Sequence, residues 1–488
     1  MRNVPNSDWR LFRPHPLVKH SPPPLIRALL EYDQHQRRRF HVPAHAGFNL
    51  LPPEWDLSLE PYRYDLTELE GLDVLSEPSE CLADAQREVA ALFGAARSFF
   101  LVNGASVGLM AAMLALLKPG DQVLLPRNVH RSVLNGLILT GAEPVWMLPD
   151  YLPDWGLWGA VRPEVVEEQF RKHPNIKALF ITAPTYEGIG SDVQALSTVC
   201  HRHGIYFVVD EAHGSLWPFT EALPPSACRM DCDAVIHSLH KTGGSLTQSA
   251  LAHLPEGSRI IPEDFQQALN VLQTTSPSYL LLASLEATCH MLASEQGQRQ
   301  IEQLLSRVDQ LRTDLQTHFR HYRLFEPSKQ EVSFWDPCKL YLVNPGVSGE
   351  DWGPRIEADE RIAYESASPH GVLYLAGLGL QPEDYRFFKD VMLREDQQTA
   401  ENAASSGFTL KQESSSETAS ASLPEMVMLP REAFFAPGEF IPPAQAVGRI
   451  AKETIVHCPP GIPILMPGER IATSHLPLLT QDRLLVVG

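Results

Sequence analysis

The sequence predicts an α/β fold with a mostly parallel central sheet, followed by smaller α/β modules, and three observations lead there. From about residue 85 to 290, short apolar runs alternate with helix-like segments, the pattern of a sheet covered by helices on both faces. Two of these runs end in residues that carry chemistry. Ile205-Tyr206-Phe207-Val208-Val209 leads into Asp210-Glu211-Ala212-His213, and Ala234-Val235-Ile236 leads into Ser238-Leu239-His240-Lys241-Thr242-Gly243-Gly244. A further run, Phe99-Phe100-Leu101-Val102, gives way to Asn103-Gly104-Ala105-Ser106 and an apolar helix. In such sheets ligands bind beyond the carboxyl ends of the strands, where these loops fall.

Taken in order, residues 1–40 read as an N-terminal arm, with Ser21-Pro22-Pro23-Pro24, an amphipathic stretch over 25–32, and Arg37-Arg38-Arg39. Residues 41–290 form the large domain. Its strands are predicted at 98–102, 122–125, 144–147, 178–181, 206–209 and 234–238, and its helices at 85–93, 106–117, 129–140 and 193–203. Residues 291–393 change character: a long charged helix over 298–319 and short strands such as 340–343 indicate a small α/β domain. Residues 394–422 are rich in Ser, Glu, Gln and Ala without a strong apolar period, and read as a mobile linker or insertion. A C-terminal domain, 423–488, returns to apolar sequence punctuated by Pro and Gly.

At 488 residues, with 44% hydrophobic and 20% charged residues, the chain has ample core for more than one domain. The longest apolar run, 109–117, is too short to span a bilayer, and the N-terminus lacks the apolar centre of a signal peptide. A cytoplasmic protein without a membrane partner is expected. Seven scattered cysteines, an odd number, suit reduced thiols, and Cys228 and Cys232 have no second pair nearby, so no metal site is expected. A net charge of −19 argues against nucleic acid as a partner and accommodates a cationic small molecule.

The residues at the strand tips suit pyridoxal phosphate. A lysine amine can form a Schiff base with the cofactor aldehyde, and an aspartate can keep the pyridine nitrogen protonated so that the ring withdraws electrons. Lys241 and Asp210 are placed for these tasks, although a lysine after a strand is commonly a solvated loop residue and Asp210 also fits a helix N-cap. Ser238 and His240 flank Lys241 in a loop suited to a phosphate, and Gly243-Gly244 allows close backbone approach. Gly104, Ala105 and Ser106 open a helix whose N-terminus is a ready phosphate site, or a plain strand–helix turn. His130 can stack on a pyridine ring or serve as a cap, Thr185 is placed to reach the cofactor rim, and His213 follows Asp210 at a spacing that capping alone does not explain.

These segments resemble the Orn/Lys/Arg decarboxylase family, pyridoxal phosphate enzymes of fold type I (aspartate aminotransferase-like). The resemblance runs from about residue 18 to the C-terminus, interrupted by 394–422, and favours the shorter, wingless branch. It is carried by His41-Val42-Pro43-Ala44-His45-Ala46-Gly47, Asp65-Leu66-Thr67-Glu68-Leu69 with Gly71-Leu72-Asp73, and Asn103 to Ser106. Asp210-Glu211-Ala212-His213-Gly214, Ser238 to Lys241, Thr247-Gln248 and Thr275-Ser276-Pro277-Ser278-Tyr279 continue it, and Pro459-Pro460-Gly461-Ile462-Pro463 with Pro467-Gly468-Glu469 closes it. The family commonly has Pro-Gly-His-Lys where Pro43-Ala44-His45-Ala46 stands, and an aromatic residue at Cys458.

The resemblance implies Lys241 as Schiff-base lysine, Asp210 as partner of the pyridine nitrogen and His130 as stacking residue. Around the phosphate it implies Ala105, Ser106, Ser238 and His240, and Gly104, Thr185, Ala212 and His213 complete the expected cofactor contacts. Ser276 is implied to reach the phosphate of a neighbouring subunit in a homodimer. The expected reaction is decarboxylation of arginine, lysine or ornithine. Its rivals are another fold type I reaction, aminotransfer or aldol cleavage, and a non-catalytic protein that retains the fold. Glu365, Glu453 and Glu469 are the candidate acids for a basic side chain, although such residues are more commonly surface carboxylates.

Overall fold

In the computed structural model, residues 22–34, 61–328, 332, 334–406, 423–457, 462–479 and 481–488 are described. The motif 41–47, Cys458 and residues 459–461 lie outside them.

The large domain is a seven-stranded sheet: β1 (Ala95–Leu101), β2 (Gln122–Pro126), β3 (Glu143–Met147), β4 (Ile176–Thr182), β5 (Tyr206–Asp210), β6 (Ala234–His237) and β7 (Ala250–Pro255). The order across the sheet is β1-β7-β6-β5-β4-β2-β3. Strands β2 to β6 pair in parallel, while β7 runs antiparallel to both β6 and β1. All six expected strands form. β7 is the addition: its apolar run follows the Lys241 loop with no helix between, so it returns as an antiparallel neighbour rather than through a crossover.

Helices α1 (Pro24–Gln34), α2 (Cys81–Phe93), α3 (Gly104–Leu116), α4 (Arg131–Thr140), α5 (Pro163–Lys172), α6 (Val193–His203), α7 (Leu239–Thr242), α8 (Pro262–Leu272) and α9 (Tyr279–Ala293) cover the sheet or connect its strands. α3 is apolar nearly all round because it is buried between the sheet, α4 and α8. The amphipathic part of the expected arm is α1. It is docked rather than free: Leu25, Leu29 and Tyr32 are buried, and the buried carboxyl of Glu286 accepts from the N–H groups of Leu25 (3.0 Å) and Ile26 (2.8 Å). The Gly71-Leu72-Asp73 motif is also structural. Asp73 accepts from backbone N–H groups around the start of α2, at Ser79, Glu80 and Leu82, and Tyr279 donates to the carbonyls of Leu72 and Asp73.

The long helix α10 (Glu295–His318) leads into a small antiparallel sheet of β8 (Arg323–Leu324), β9 (Lys339–Val343), β10 (Ser366–Ala367) and β11 (Val372–Leu375), in the order β8-β9-β11-β10. α11 (Gly349–Glu360) and α12 (Pro382–Ser406) pack with it. Here the reading of 394–422 needs correction. The helix continues to Ser406, Glu395 pairs with Arg355 at 2.6 Å, and buried Asp396 accepts from the N–H groups of Arg320, His321 and Tyr322. An apolar period is weak there because the docked face is held by polar pairs. Residues 407–422 lie outside the described residues. The C-terminal domain is tied to the large one by a buried pair: both oxygens of Glu469 meet the Arg127 guanidinium, at 2.6 and 2.7 Å.

Candidate active site

Parallel pairing aligns the tips of β4, β5 and β6, bringing Thr182 level with Asp210 and Asp210 level with Ile236. One cavity opens beyond them. Gly104, Ala105, Ser106, His130, Thr185, Asp210, Ala212, His213, Ser238, His240 and Lys241 all line it. Ser276 does not: it is exposed on the turn before α9, outside the cavity of its own chain.

Strand alternation aims Asp210 toward the α3 side of the sheet, the side that Val208 and Phe180 also face. Among the described residues one donor reaches its carboxyl, the N–H of Ala212 at 3.2 Å. α7 is a single turn that lifts Lys241 off β6, and Lys241 Nζ lies 3.0 Å from His213 Nε2 and 5.2 Å over the Tyr186 ring. Burial pulls the Lys241 amine below its usual range, opposed by Asp210 and reinforced by Lys339. Burial also lowers His130, which Asp210 counteracts. His130 N-caps α4 by accepting from Ser132 N–H at Nδ1, so in the neutral ring the proton sits on Nε2. His240 is anchored to the Ser249 carbonyl, 2.9 Å from Nδ1.

The start of α3 is left open. Its N-cap residue, Asn103, makes no side-chain cap and instead accepts from Thr274 N–H at 3.1 Å. Gly104 takes φ +78°, which favours glycine, and the helix N-terminus that follows presents backbone donors to the cavity.

Sequence reasoning missed part of the wall. Asn128, Trp158, Thr182, Tyr186 and Glu187 also line the cavity, and Asn128 Oδ1 and Thr182 Oγ1 are buried without a partner among the described residues. Glu187 is buried, accepts from Thr185 Oγ1 at 3.0 Å, and is pushed up by desolvation. Lys339 stands behind the wall, 3.2 Å from His213 Nδ1; its signal in the sequence was a lysine at the head of an apolar strand. Of the three candidate acids, Glu469 is consumed by Arg127 and Glu453 accepts from Leu485 N–H, while Glu365 acts electrostatically on Lys241. The grouping closest to a metal-ligand set among the described residues, Cys228, His237 and His253, is in the core and outside this cavity.

Fold and site together define an α/β protein in which a half-buried lysine and a buried aspartate line one cavity at the strand tips. The model of the Orn/Lys/Arg decarboxylase major domain matches residues 23–332, and that of the family's C-terminal domain matches 412–481. The chain belongs to the Orn/Lys/Arg decarboxylase family. An arginine decarboxylase of Bacillus anthracis is 32% identical over 468 residues, covering 94% of this chain and 92% of its own. An arginine decarboxylase of Bacillus subtilis (strain 168) is 32% identical over 461 residues, covering 93% and 92%. The solved structure of the constitutive lysine decarboxylase of Escherichia coli superposes with a TM-score of 0.79 at 20% identity, over 96% of this chain and 82% of that one.

Proposed function

We propose that this chain is a pyridoxal phosphate-dependent decarboxylase of basic L-amino acids, with arginine as its preferred substrate. The observation that carries the reading is the convergence of Lys241, Asp210 and the uncapped N-terminus of α3 on one cavity. The wall fits the cofactor chemically: a backbone cradle for a phosphate, a carboxyl with one donor among the described residues for a ring nitrogen, and Asn128 and Thr182 oxygens without a partner among those residues for further polar contacts. Preference for arginine is supported by the two arginine decarboxylases at 32% identity.

When bound, pyridoxal phosphate supplies an aldehyde that condenses with amines and a ring that takes up the electrons of the bond being broken. The chain's residues do the rest. Lys241, its charged form disfavoured by burial, presents a free amine that can be exchanged for the substrate's and can return a proton at Cα. Asp210 would keep a proton on the ring nitrogen. His130 would lie against the ring, and the N-terminal turn of α3, with Ser106, Ser238 and His240, would hold the phosphate. The apolar part of the lining, Leu109, Val129 and Trp158, favours loss of the substrate carboxylate, because a poorly solvated charge disappears as CO2 leaves.

We also assign the protein to a cytoplasmic homodimer. Ser276, exposed and off its own cavity, suits the role of reaching the partner's phosphate site. The six described cysteines, all free thiols, agree with a reducing compartment, and among the described residues no helix is long and apolar enough to cross a membrane.

The test is a side-by-side assay of purified protein with cofactor on arginine, lysine and ornithine, recording CO2 and keto acid. CO2 without keto acid, fastest from arginine, is expected. Keto acid as main product would assign aminotransfer, and a protein with no cofactor absorption band would remove the catalytic reading.

A further inference from the structure

Lys339 takes no part in the chemistry above, yet it is one of the largest fully buried side chains in the molecule. It heads β9 of the small domain and reaches across to the large one. Gly188 leaves the space for its stem: a Cβ there would stand 2.7 Å from Lys339 Cγ. At the end of that stem Nζ is 3.2 Å from His213 Nδ1, while His213 Nε2 is 3.0 Å from Lys241 Nζ. Two amines therefore sit on the two nitrogens of one buried imidazole.

Such a row is not free to hold its protons anywhere. A neutral imidazole has one donor and one acceptor nitrogen, and an ammonium requires the nitrogen it faces to accept. His213 stays neutral, because burial and the neighbouring Lys241, Lys339, His130 and His240 all oppose its charge. The two ends differ in company. Burial is the largest influence on Lys339 and pulls its amine below the usual range, opposed by Asp336, Glu365, Cys338 and Glu187. Lys241 is faced by Asp210 and Glu365, which favour charge, by Lys339, which opposes it, and by the Tyr186 ring. Asp336, Glu365 and Glu187 act on Lys339 and Asp210 and Glu365 on Lys241, so more acids stand at the Lys339 end, while each amine opposes the charge of the other. With the ammonium on Lys339, Nδ1 of His213 accepts from it, and Nε2–H donates to the lone pair of Lys241.

We propose that Lys339 is a positioning residue for Lys241, acting through His213 to keep that amine uncharged and hydrogen-bonded as an acceptor in the interval between exchanges. The proposal rests on the reading of Lys241 as the lysine that condenses with the cofactor, and goes beyond it by assigning control of that amine to a residue of the small domain.

The experiment uses the cofactor-free protein, so that it does not depend on turnover. Lys241 is labelled with a trace of amine-reactive anhydride across a pH series, and the modified peptide is quantified by mass spectrometry. In Lys339→Met the labelling midpoint is expected to move up by about one pH unit, so that labelling at neutral pH falls about tenfold, while Lys339→Arg keeps the parent profile. His213→Phe is expected to move the midpoint too, and adding Lys339→Met to it should move it little further, the non-additivity of groups acting in series. An unchanged midpoint in folded Lys339→Met would overturn the proposal. So would equal shifts in the Met and Arg variants, which would make Lys339 a packing element, or full additivity with His213→Phe. Should the Met variant fail to fold, Lys339→Gln is expected to shift the midpoint in the same direction by less, and no shift there overturns the proposal equally. Cofactor absorption and CO2 release of the parent enzyme are scored separately. Their failure would remove the reading of Lys241, whereas a flat labelling series beside intact chemistry removes only the role of Lys339.

Discussion

Asp210 and Glu211 are adjacent acids at the tip of one strand, 4% and 0% exposed, and they have opposite company. The oxygens of Glu211 are taken by fixed partners: the N–H of Ala227 at 2.9 Å, the hydroxyl of Ser226 at 2.5 Å and Nε2 of His237 at 2.7 Å. Asp210 has one donor among the described residues and faces a cavity. Burial alone does not separate a working acid from a structural one. What separates them is whether the protein has already satisfied the group, since a carboxyl left short of partners in a closed wall is provided for by something else.

The sharpest way to break this contrast starts with the cavity side. Lys241→Ala is expected to abolish decarboxylation, because amine exchange and proton return both use Nζ. A variant that binds cofactor normally and retains more than a trace of the parent kcat would defeat the assignment. Asp210→Ala should follow with a loss of several orders of magnitude in kcat and weaker cofactor binding, while Asp210→Glu is milder. Its Tm should change little, since few protein contacts are lost. On the other side of the strand the pattern should reverse. Glu211→Ala leaves His237 buried without its acid and is expected to cost roughly 3–5 kcal/mol of stability, read from denaturant unfolding. The soluble fraction should keep its cofactor band. Equal kinetic damage per folded molecule in the two alanine variants would erase the distinction between the two acids. The smallest effect belongs to Glu286→Ala, which frees the start of α1 and should cost about 1–3 kcal/mol without changing KM. Protection of α1 from hydrogen exchange is the direct readout, and full protection in the variant would show that packing alone holds the helix.

The same contrast explains what was legible in the sequence. The parallel strands announced themselves as apolar runs because both faces are covered, and their tips located Asp210 and Lys241 within a residue. Ser106, His130 and His240 were legible because they sit next to turns that the strand–helix pattern marks. Glu187 and Lys339 were not, since their meaning depends on the small domain packing against the large one, which local pattern does not encode. β7 was passed over because it reverses direction instead of crossing over. The start of 394–422 was misread for a related reason: Glu395 and Asp396 look solvated by composition, but their partners, Arg355 and the backbone at 320–322, are distant in sequence.

The central claim is that Lys241, and not the buried Lys339, joins the cofactor. It is tested by adding pyridoxal phosphate to the purified protein, reducing with borohydride, and mapping the modified peptide by mass spectrometry. One stable adduct on the peptide carrying Lys241, lost in Lys241→Ala, is expected. An adduct on Lys339, spread over surface lysines, or absent altogether would contradict the account.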